Sequence, residues 1–125
     1  MNKPNEPPPA PKQADETAAL IRARDDGVTF VQIWEVGGPE AQQRWLAVMH
    51  ESIHILQRQP GFVTMNLHTS IEGDRIAVYA QWASRETLEA AINDPAAKTA
   101  HDRMARIGSS DGSLYTVESV YSPSS

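Results

Sequence analysis

One segment of alternating residues, 60–86, constrains the fold more than any other part of the chain. It reads PGFVTMNLHTSIEGDRIAVYAQWASRE. Successive side chains of a β-strand point to opposite faces of a sheet, and residues 62–71 alternate in this way. Residues 72–74 supply a glycine-containing turn, and residues 76–82 alternate again. The segment therefore predicts a β-hairpin that leads into a helix.

Strand parity also predicts which side chains of the hairpin share a face. Asn66 and His68 lie two residues apart on the first strand, and Trp82 ends the apolar side of the return strand. We expect these three side chains to lie together on one face of the sheet. Polar groups within an otherwise apolar two-stranded unit are typical of a small-molecule cavity, so this face is the expected substrate site.

The rest of the chain supplies a strand before the hairpin, a strand after it, and the helices between them. Residues 28–36 are β-branched and aromatic, which is typical of a strand. Residues 40–58 predict a helix, because apolar side chains recur at spacings of three and four. Ser84 and Asp94 are good N-caps for two short helices, the second ending near Ile107. Residues 114–121 predict the last strand.

The order of elements is βαββαβ, with the second helix broken in two. This is the split-βαβ, ferredoxin-like pattern of an α+β fold. Large apolar side chains occur on both faces of the expected sheet, and the helices cover only one of them. A second copy of the chain is the simplest cover for the other face, so we expect a homodimer.

The expected folded domain spans residues 27–122, between an N-terminal extension of residues 1–26 and a tail of residues 123–125. Residues 1–12 are proline-rich and polar, which favours a flexible or polyproline-like segment. Residues 14–24 contain helix formers and one small apolar patch. The sequence does not decide between a short docked helix and a frayed linker for these residues.

The composition excludes several classes of protein. The formal net charge is −5, whereas nucleic-acid binding needs a basic surface. There is no cysteine, which excludes disulfides, thiolate metal sites and cysteine nucleophiles. No apolar run approaches the roughly 20 residues that span a bilayer, and the N-terminus lacks the apolar core of a secretory signal. We expect a cytoplasmic protein without membrane or nucleic-acid partners.

Residues 50–54 match H-E-x-x-H, a sequence that places two histidines on one helix face as zinc ligands. The match lacks a third ligand, because the helix ends at Pro60 without the extended form of the motif. His50 and His54 also fall outside the apolar stripe of their helix. We therefore expect surface histidines here, with no metal or other cofactor.

Two further histidines are candidates for acid–base chemistry. His68 lies mid-strand among polar neighbours, and histidine exchanges protons readily near neutral pH. His101 lies on the last helix, where the spacing leaves an imidazole aimed at the sheet and a half-exposed helix residue as alternatives. For Trp82 the alternatives are a core aromatic and a wall that stacks on a planar substrate.

The pieces PGF and YAQW are the most specific part of a resemblance that covers roughly residues 28–121. In these pieces the chain resembles the antibiotic biosynthesis monooxygenase family. The resemblance implies a dimeric α+β barrel, and the family includes cofactor-independent oxygenases that convert polyketide anthrones to quinones. In those oxygenases the tryptophan that matches Trp82 lines the active site, and a histidine occurs at the position of His68.

The chain departs from the anthrone-oxidising members at two positions. Val78 stands where they carry an asparagine that is thought to bind the substrate carbonyl or a peroxy intermediate. Valine neither donates nor accepts a hydrogen bond, and Asn66 is the expected replacement for the missing amide. His101 stands where they carry an arginine. The haem-degrading branch of the superfamily places its axial histidine at a position comparable to His101.

The leading hypothesis is a homodimeric, cofactor-independent oxygenase that acts on a planar phenolic, anthrone-type or polyketide substrate with O2. In this hypothesis His68 accepts the proton or stabilises the oxyanion, Trp82 stacks on the substrate and Asn66 donates to its carbonyl. His101 is a second acid–base candidate. Two alternatives keep the same pocket: a polyketide cyclase or isomerase that uses no O2, and a non-catalytic dimer that binds an aromatic ligand or haem.

Overall fold

The predicted hairpin forms part of a four-stranded antiparallel sheet in the computed structural model, which describes residues 27–124. The strands are β1 (Val28–Val36), β2 (Phe62–Thr69), β3 (Arg75–Trp82) and β4 (Gly108–Tyr115), in the spatial order β2-β3-β1-β4. The helices are α1 (Pro39–Gln57), α2 (Arg85–Ile92) and α3 (Pro95–Ala105). The α+β, ferredoxin-like prediction is confirmed, including the division of the second helix. The expectations for residues 1–26 lie outside the described residues.

Both short helices begin at the N-caps that the sequence indicates. The Ser84 hydroxyl accepts from the Thr87 backbone N–H at 3.1 Å, and the Thr87 hydroxyl accepts from the Ser84 backbone N–H at 3.2 Å. Threonine thus completes the reciprocal box that usually has glutamate at this position. The Asp94 carboxylate accepts from the first backbone N–H groups of α3, the nearest at 2.8 Å. These caps fix where α2 and α3 begin beneath the sheet.

The last strand is the main difference from the sequence prediction. The sequence predicts a strand over residues 114–121, whereas β4 spans Gly108–Tyr115. Residues 116–124 belong to no helix or strand. The sequence of β4, GSSDGSLY, has little strand propensity, but it pairs with β1 from Gly108 to Tyr115. Pairing with β1 outweighs local propensity here. Gly108 permits the close approach, because a Cβ on it would collide with the Glu35 carbonyl oxygen.

The three helices cover one face of the sheet, and the core lies between them and that face. Among the described residues the largest fully buried side chains are Trp34, Trp45, Trp82, Ile76 and Val78. The buried face of α1 is centred on Trp45, Val48 and Met49. The apolar stripe predicted for α1 consists of Leu46, Met49, Ile53 and Leu56. Only Met49 of these is fully part of the buried face, because Leu46, Ile53 and Leu56 are half-buried.

The opposite face of the sheet is not covered by any helix of the described part of the chain. Its side chains include Val31, Ile33, Tyr79 and Tyr115, as the strand register shows. Ile33 is 40% exposed and Tyr115 is 54% exposed. We call this surface the open face, in contrast to the helix-facing side. No helix among residues 27–124 is long and apolar enough to cross a membrane.

Gly61 connects α1 to β2 in a conformation that favours glycine. Its φ is 85°, and a Cβ there would collide with the side chain of Thr87. We expect Gly61→Ala to lower the free energy of unfolding by roughly 2–4 kcal/mol, from backbone strain and displaced packing. The melting temperature should then fall by about 10 °C or more.

Urea and thermal denaturation measure this loss. Gly37→Ala is the matched control, because Gly37 lies outside the left-handed region and a Cβ added to it would have no atom within 4 Å. An equal loss in the two variants would contradict the explanation from the Thr87 contact.

Candidate functional site

The register of the β2–β3 hairpin divides the side chains that were expected to share a face. Asn66 pairs with Tyr79 and His68 pairs with Ala77, whereas Trp82 pairs with Phe62. Directly opposed residues of an antiparallel pair point to the same side of the sheet. Asn66 and His68 therefore lie on the open face, and Trp82 lies on the helix-facing side. The prediction that these three residues line one face is wrong.

The length of the turn explains this error. Strand parity was right within each segment of regular strand, but the pairing between strands depends on the length of the turn. Residues 70–74 form that turn, in which the Ser70 hydroxyl accepts from the backbone N–H groups of Asp74 and Arg75, at 3.1 and 2.8 Å. The register also shifts between Phe62 and Thr64, so these two residues lie on opposite faces.

On the open face, Asn66 and His68 lie on an edge strand without a covering element from the described residues. Asn66 is half-buried and His68 is exposed. A recess of about 390 Å³ occurs elsewhere on this face, lined by Thr29, Tyr79, Tyr115 and residues 116–120. Neither Asn66 nor His68 lines it. The structure thus leaves the two residues outside the recess on their own face.

On the helix-facing side, Trp82 is part of a packed aromatic end of the core. It is 2% exposed, and its ring meets that of Phe62 edge-on, with centroids 5.4 Å apart and an interplanar angle of 88°. Leu88 and Ala91 of α2 belong to the same buried cluster. Trp82 therefore lies in the position of a core aromatic, the first of its two alternatives.

His101 combines the two alternatives that the sequence left open. The residue is exposed on α3, and its imidazole also lies against Trp34, with ring centroids 5.5 Å apart and an interplanar angle of 59°. Its helix neighbours Ala100 and Met104 are buried in the core. His101 therefore stands at the border between solvent and the helix-facing side of the sheet.

Gln32 is a polar residue on this side that was not predicted as a site residue. It lies on β1 directly opposite Val78 on one side and Gly112 on the other. A Cβ on Gly112 would approach the Gln32 Cγ at 3.0 Å and the Phe30 ring at 3.1 Å. The side chains of Gln32 and Phe30 therefore lie over Gly112. Strand parity offered a signal, since a glutamine between Phe30 and Trp34 interrupts an apolar face.

Among the described residues the core consists of two buried clusters, and Met65 packs against both of them. One buried cluster contains Trp34 and Val78, and a second contains Trp82, with Phe30 packed against it. Along β4, the helix-facing positions in front of α3 are Gly108, Ser110 and Gly112, and the last two are exposed. Because serine and glycine add little side-chain volume, few side chains of residues 27–124 fill this edge of the helix-facing side. We use the name β4 groove for the region between Gln32, Ser110, Gly112 and His101.

The H-E-x-x-H histidines lie outside this region. His50 and His54 are exposed, and Glu51 forms an ion pair of 2.9 Å with Arg103 that connects α1 to α3. Residues 27–124 contain no group of three or more His, Cys, Asp or Glu side chains that could hold a metal ion. The motif therefore contributes a surface contact between helices in this conformation.

The β4 groove is bordered by two side chains that are capable of proton transfer and hydrogen bonding. His101 supplies a proton acceptor at its rim, and the Gln32 amide can donate to a carbonyl or developing oxyanion. Aromatic rings flank these polar groups on the helix-facing side, which suits the recognition of a planar ligand. Of the four residues expected at the site, His101 borders the groove and Trp82 lies in the adjacent cluster, whereas Asn66 and His68 lie on the opposite face.

The sequence matches the model of the antibiotic biosynthesis monooxygenase family over residues 37–103, more than half of the chain. Among characterised proteins, it is similar to the tetracenomycin-F1 monooxygenase of Streptomyces glaucescens. The two are 27% identical over 77 residues, which cover 62% of this chain and 69% of that protein.

Solved structures show the same fold. SnoaB from Streptomyces nogalater, a cofactor-independent oxygenase, aligns with a TM-score of 0.69 and 24% identity over 76% of this chain and 96% of its own. The monooxygenase from the ActVA-Orf6 gene of Streptomyces coelicolor, in complex with nanaomycin D, aligns with a TM-score of 0.70 and 22% identity, over 78% and 93% of the two chains.

Proposed function

The chain belongs to the antibiotic biosynthesis monooxygenase family, and from this premise we propose that it is a cofactor-independent oxygenase of a planar phenolic, anthrone-type or polyketide substrate. The observation that supports the proposal most is the β4 groove, where an exposed histidine and a glutamine adjoin buried aromatic rings. The relatives named above include a cofactor-independent oxygenase and a nanaomycin D complex.

In the proposed site the substrate enters the β4 groove on the helix-facing side of the sheet. His101 removes a proton from the substrate, and Gln32 donates to the carbonyl that becomes an enolate. Gln32 lies directly opposite Val78, so its amide is displaced by one strand from the position of the family asparagine. Asn66 does not reach this side, because strand pairing places it on the open face.

The reaction converts a ring methylene and O2 into a ketone and water. Loss of one proton to His101 gives an electron-rich carbanion, which transfers an electron to O2 and then forms a carbon–oxygen bond. The resulting peroxide receives a proton from the imidazolium. Loss of the second methylene proton breaks the oxygen–oxygen bond and releases water. The protein orients the substrate and stabilises the enolate, and the oxidant is O2 itself.

Oxygen uptake tests the proposal. Purified protein is mixed with a simple anthrone, with and without a metal chelator, and both O2 consumption and quinone formation are followed. We expect uptake above the spontaneous rate, matched by quinone and unchanged by the chelator. Uptake that the chelator abolishes would contradict the cofactor-independent mechanism.

Absence of uptake would instead favour a different oxygenase substrate or one of the two other uses of this fold. A polyketide cyclase or isomerase would convert its substrate without consuming O2. A non-catalytic binding protein would hold an aromatic ligand or haem unchanged, and the buried, apolar Val78 favours this second candidate. A Soret band in the purified protein would identify the haem form.

The open face supports the further proposal that the protein is a homodimer. Val31, Ile33, Tyr79 and Tyr115 form an apolar patch on this face, and a second copy would bury it in a barrel of two sheets. The proposal thus assigns the open face to assembly and the helix-facing side to chemistry.

A charge on the open face should dissociate the dimer. We expect Ile33→Glu to elute as a monomer in size-exclusion chromatography with light scattering, because the glutamate would be buried without a partner. Ile92→Glu is the control, since Ile92 is similarly exposed, at 47% against 40%, but lies on α2. A dimer that persists in Ile33→Glu would argue against this interface.

A further inference from the structure

Two buried donors on the helix-facing side have no hydrogen-bond partner. They are the indole Nε1 atoms of Trp34 and Trp45, the only buried side-chain nitrogen or oxygen atoms without a partner within residues 27–124. Trp34 is 1% exposed and Trp45 is fully buried, and their ring centroids lie 5.5 Å apart at an interplanar angle of 56°. The two donors therefore belong to one local cluster.

Such a pair is costly to the free protein. An indole N–H can only donate, and a buried tryptophan normally finds an acceptor. Nearby polar groups do find partners, since the Gln42 amide of α1 donates to the Arg75 carbonyl at 2.9 Å. A buried donor without a partner costs about 1–3 kcal/mol, and such groups call for an explanation. An acceptor that arrives with a ligand provides one.

The position of Trp34 shows where that ligand would arrive. On β1, Trp34 lies between buried Ile76 of β3 and exposed Ser110 of β4, so the side of Trp34 nearest to solvent is that of the β4 groove. The exposed His101 ring covers it there. Because the His101 side chain is exposed, it is the part of this cover that a ligand would displace first.

We infer that Trp34 and Trp45 form a donor pair that binds an oxygen of a planar aromatic ligand, such as a quinone or enolate oxygen, reached through the β4 groove. The ligand class follows from the surroundings: two neutral donors select an oxygen acceptor, and the adjoining rings select a flat apolar body. Val78 lies on the same helix-facing side as Trp34 and has no hydrogen-bonding group. The indoles therefore supply donors that Val78 lacks. The inference rests on the proposed function only for the reaction that the ligand undergoes. Binding of the ligand by the two indoles does not depend on that function.

A matched pair of ligands tests the inference under anaerobic conditions, by binding alone. The probes are the soluble monosulfonates of anthraquinone and anthracene, which share a three-ring skeleton and differ in the two quinone oxygens. We expect Trp34→Phe and Trp45→Phe each to weaken anthraquinone sulfonate binding about tenfold and to leave anthracene sulfonate binding nearly unchanged. Equal losses for both probes, or no loss, would overturn the donor role.

The wild-type protein gives a second measurement that does not depend on the variants folding. In a ¹⁵N-labelled sample the indole N–H resonances of Trp34 and Trp45, assigned with the two variants or by triple-resonance spectra, should move downfield with anthraquinone sulfonate. The anthracene compound should cause no comparable shift. Unshifted resonances at saturation, or no binding of the quinone, would also overturn the inference.

The outcome is separable from that of the oxygenase proposal. Binding that depends on the indoles, without anthrone oxidation, would preserve the donor pair and reject the proposed reaction. Anthrone oxidation with quinone binding that ignores both tryptophans would preserve the reaction and reject the donor pair.

Discussion

Replacing His101 by alanine is expected to lower anthrone turnover by a factor of about 10²–10⁴, the usual contribution of a general base. The imidazole lies against Trp34 at the rim of the β4 groove, and the other side chains named there supply no comparable base. Steady-state O2 uptake and quinone formation measure the loss. Stability should change little, because His101 is exposed.

The other histidines provide the controls for this result. His50→Ala removes an exposed imidazole on α1, away from the groove, and should retain full turnover. His68→Ala decides between the two faces of the sheet, because His68 lies on the open face. If His68→Ala loses anthrone turnover and His101→Ala keeps full turnover, the chemistry takes place on the open face and the β4 groove is rejected as the site.

Trp82→Ala should lower the free energy of unfolding by about 3–5 kcal/mol. Trp82 is 2% exposed, and the change would leave a cavity beside Phe62 and Leu88. Urea denaturation measures the loss. Tyr121→Ala is the control, since Tyr121 is 91% exposed and outside every strand and helix, and it should change stability by no more than about 0.5 kcal/mol.

A second substitution separates the packing of Trp82 from a role in binding. Trp82→Phe keeps an aromatic ring next to Phe62 and should recover most of the stability. If Trp82 also forms a wall for the substrate, Trp82→Phe should still raise KM for an anthrone. Stability and KM that both return to wild-type values would leave Trp82 with a structural role only.

Local sequence signals predicted most of the fold. The hairpin, the N-caps at Ser84 and Asp94, and the order of elements depend on turn residues, capping groups and periodicity, which act over a few neighbouring residues. Strand β4 is the exception. Its glycines and serines form a strand only because β1 offers a complete set of hydrogen-bonding partners.

The candidate site was less predictable, because it depends on contacts between distant segments. Alternation placed Asn66 and His68 together correctly, but the length of the turn decided which β3 side chains share their face. Gln32 became a candidate only when its position between Val78 and Gly112 was known. The unpartnered indoles of Trp34 and Trp45 leave no signal in the sequence.

By itself, then, the sequence determined the class of fold and the resemblance to one family, since short-range patterns and the PGF and YAQW pieces carry that information. The tertiary structure decided which side of the sheet carries the candidate chemistry. The physical reason is the two-residue period of a strand: a change of one residue in register moves every side chain to the other face. Asn66 and His68 therefore lie on the open face, and His101 lies beside Trp34 at the β4 groove.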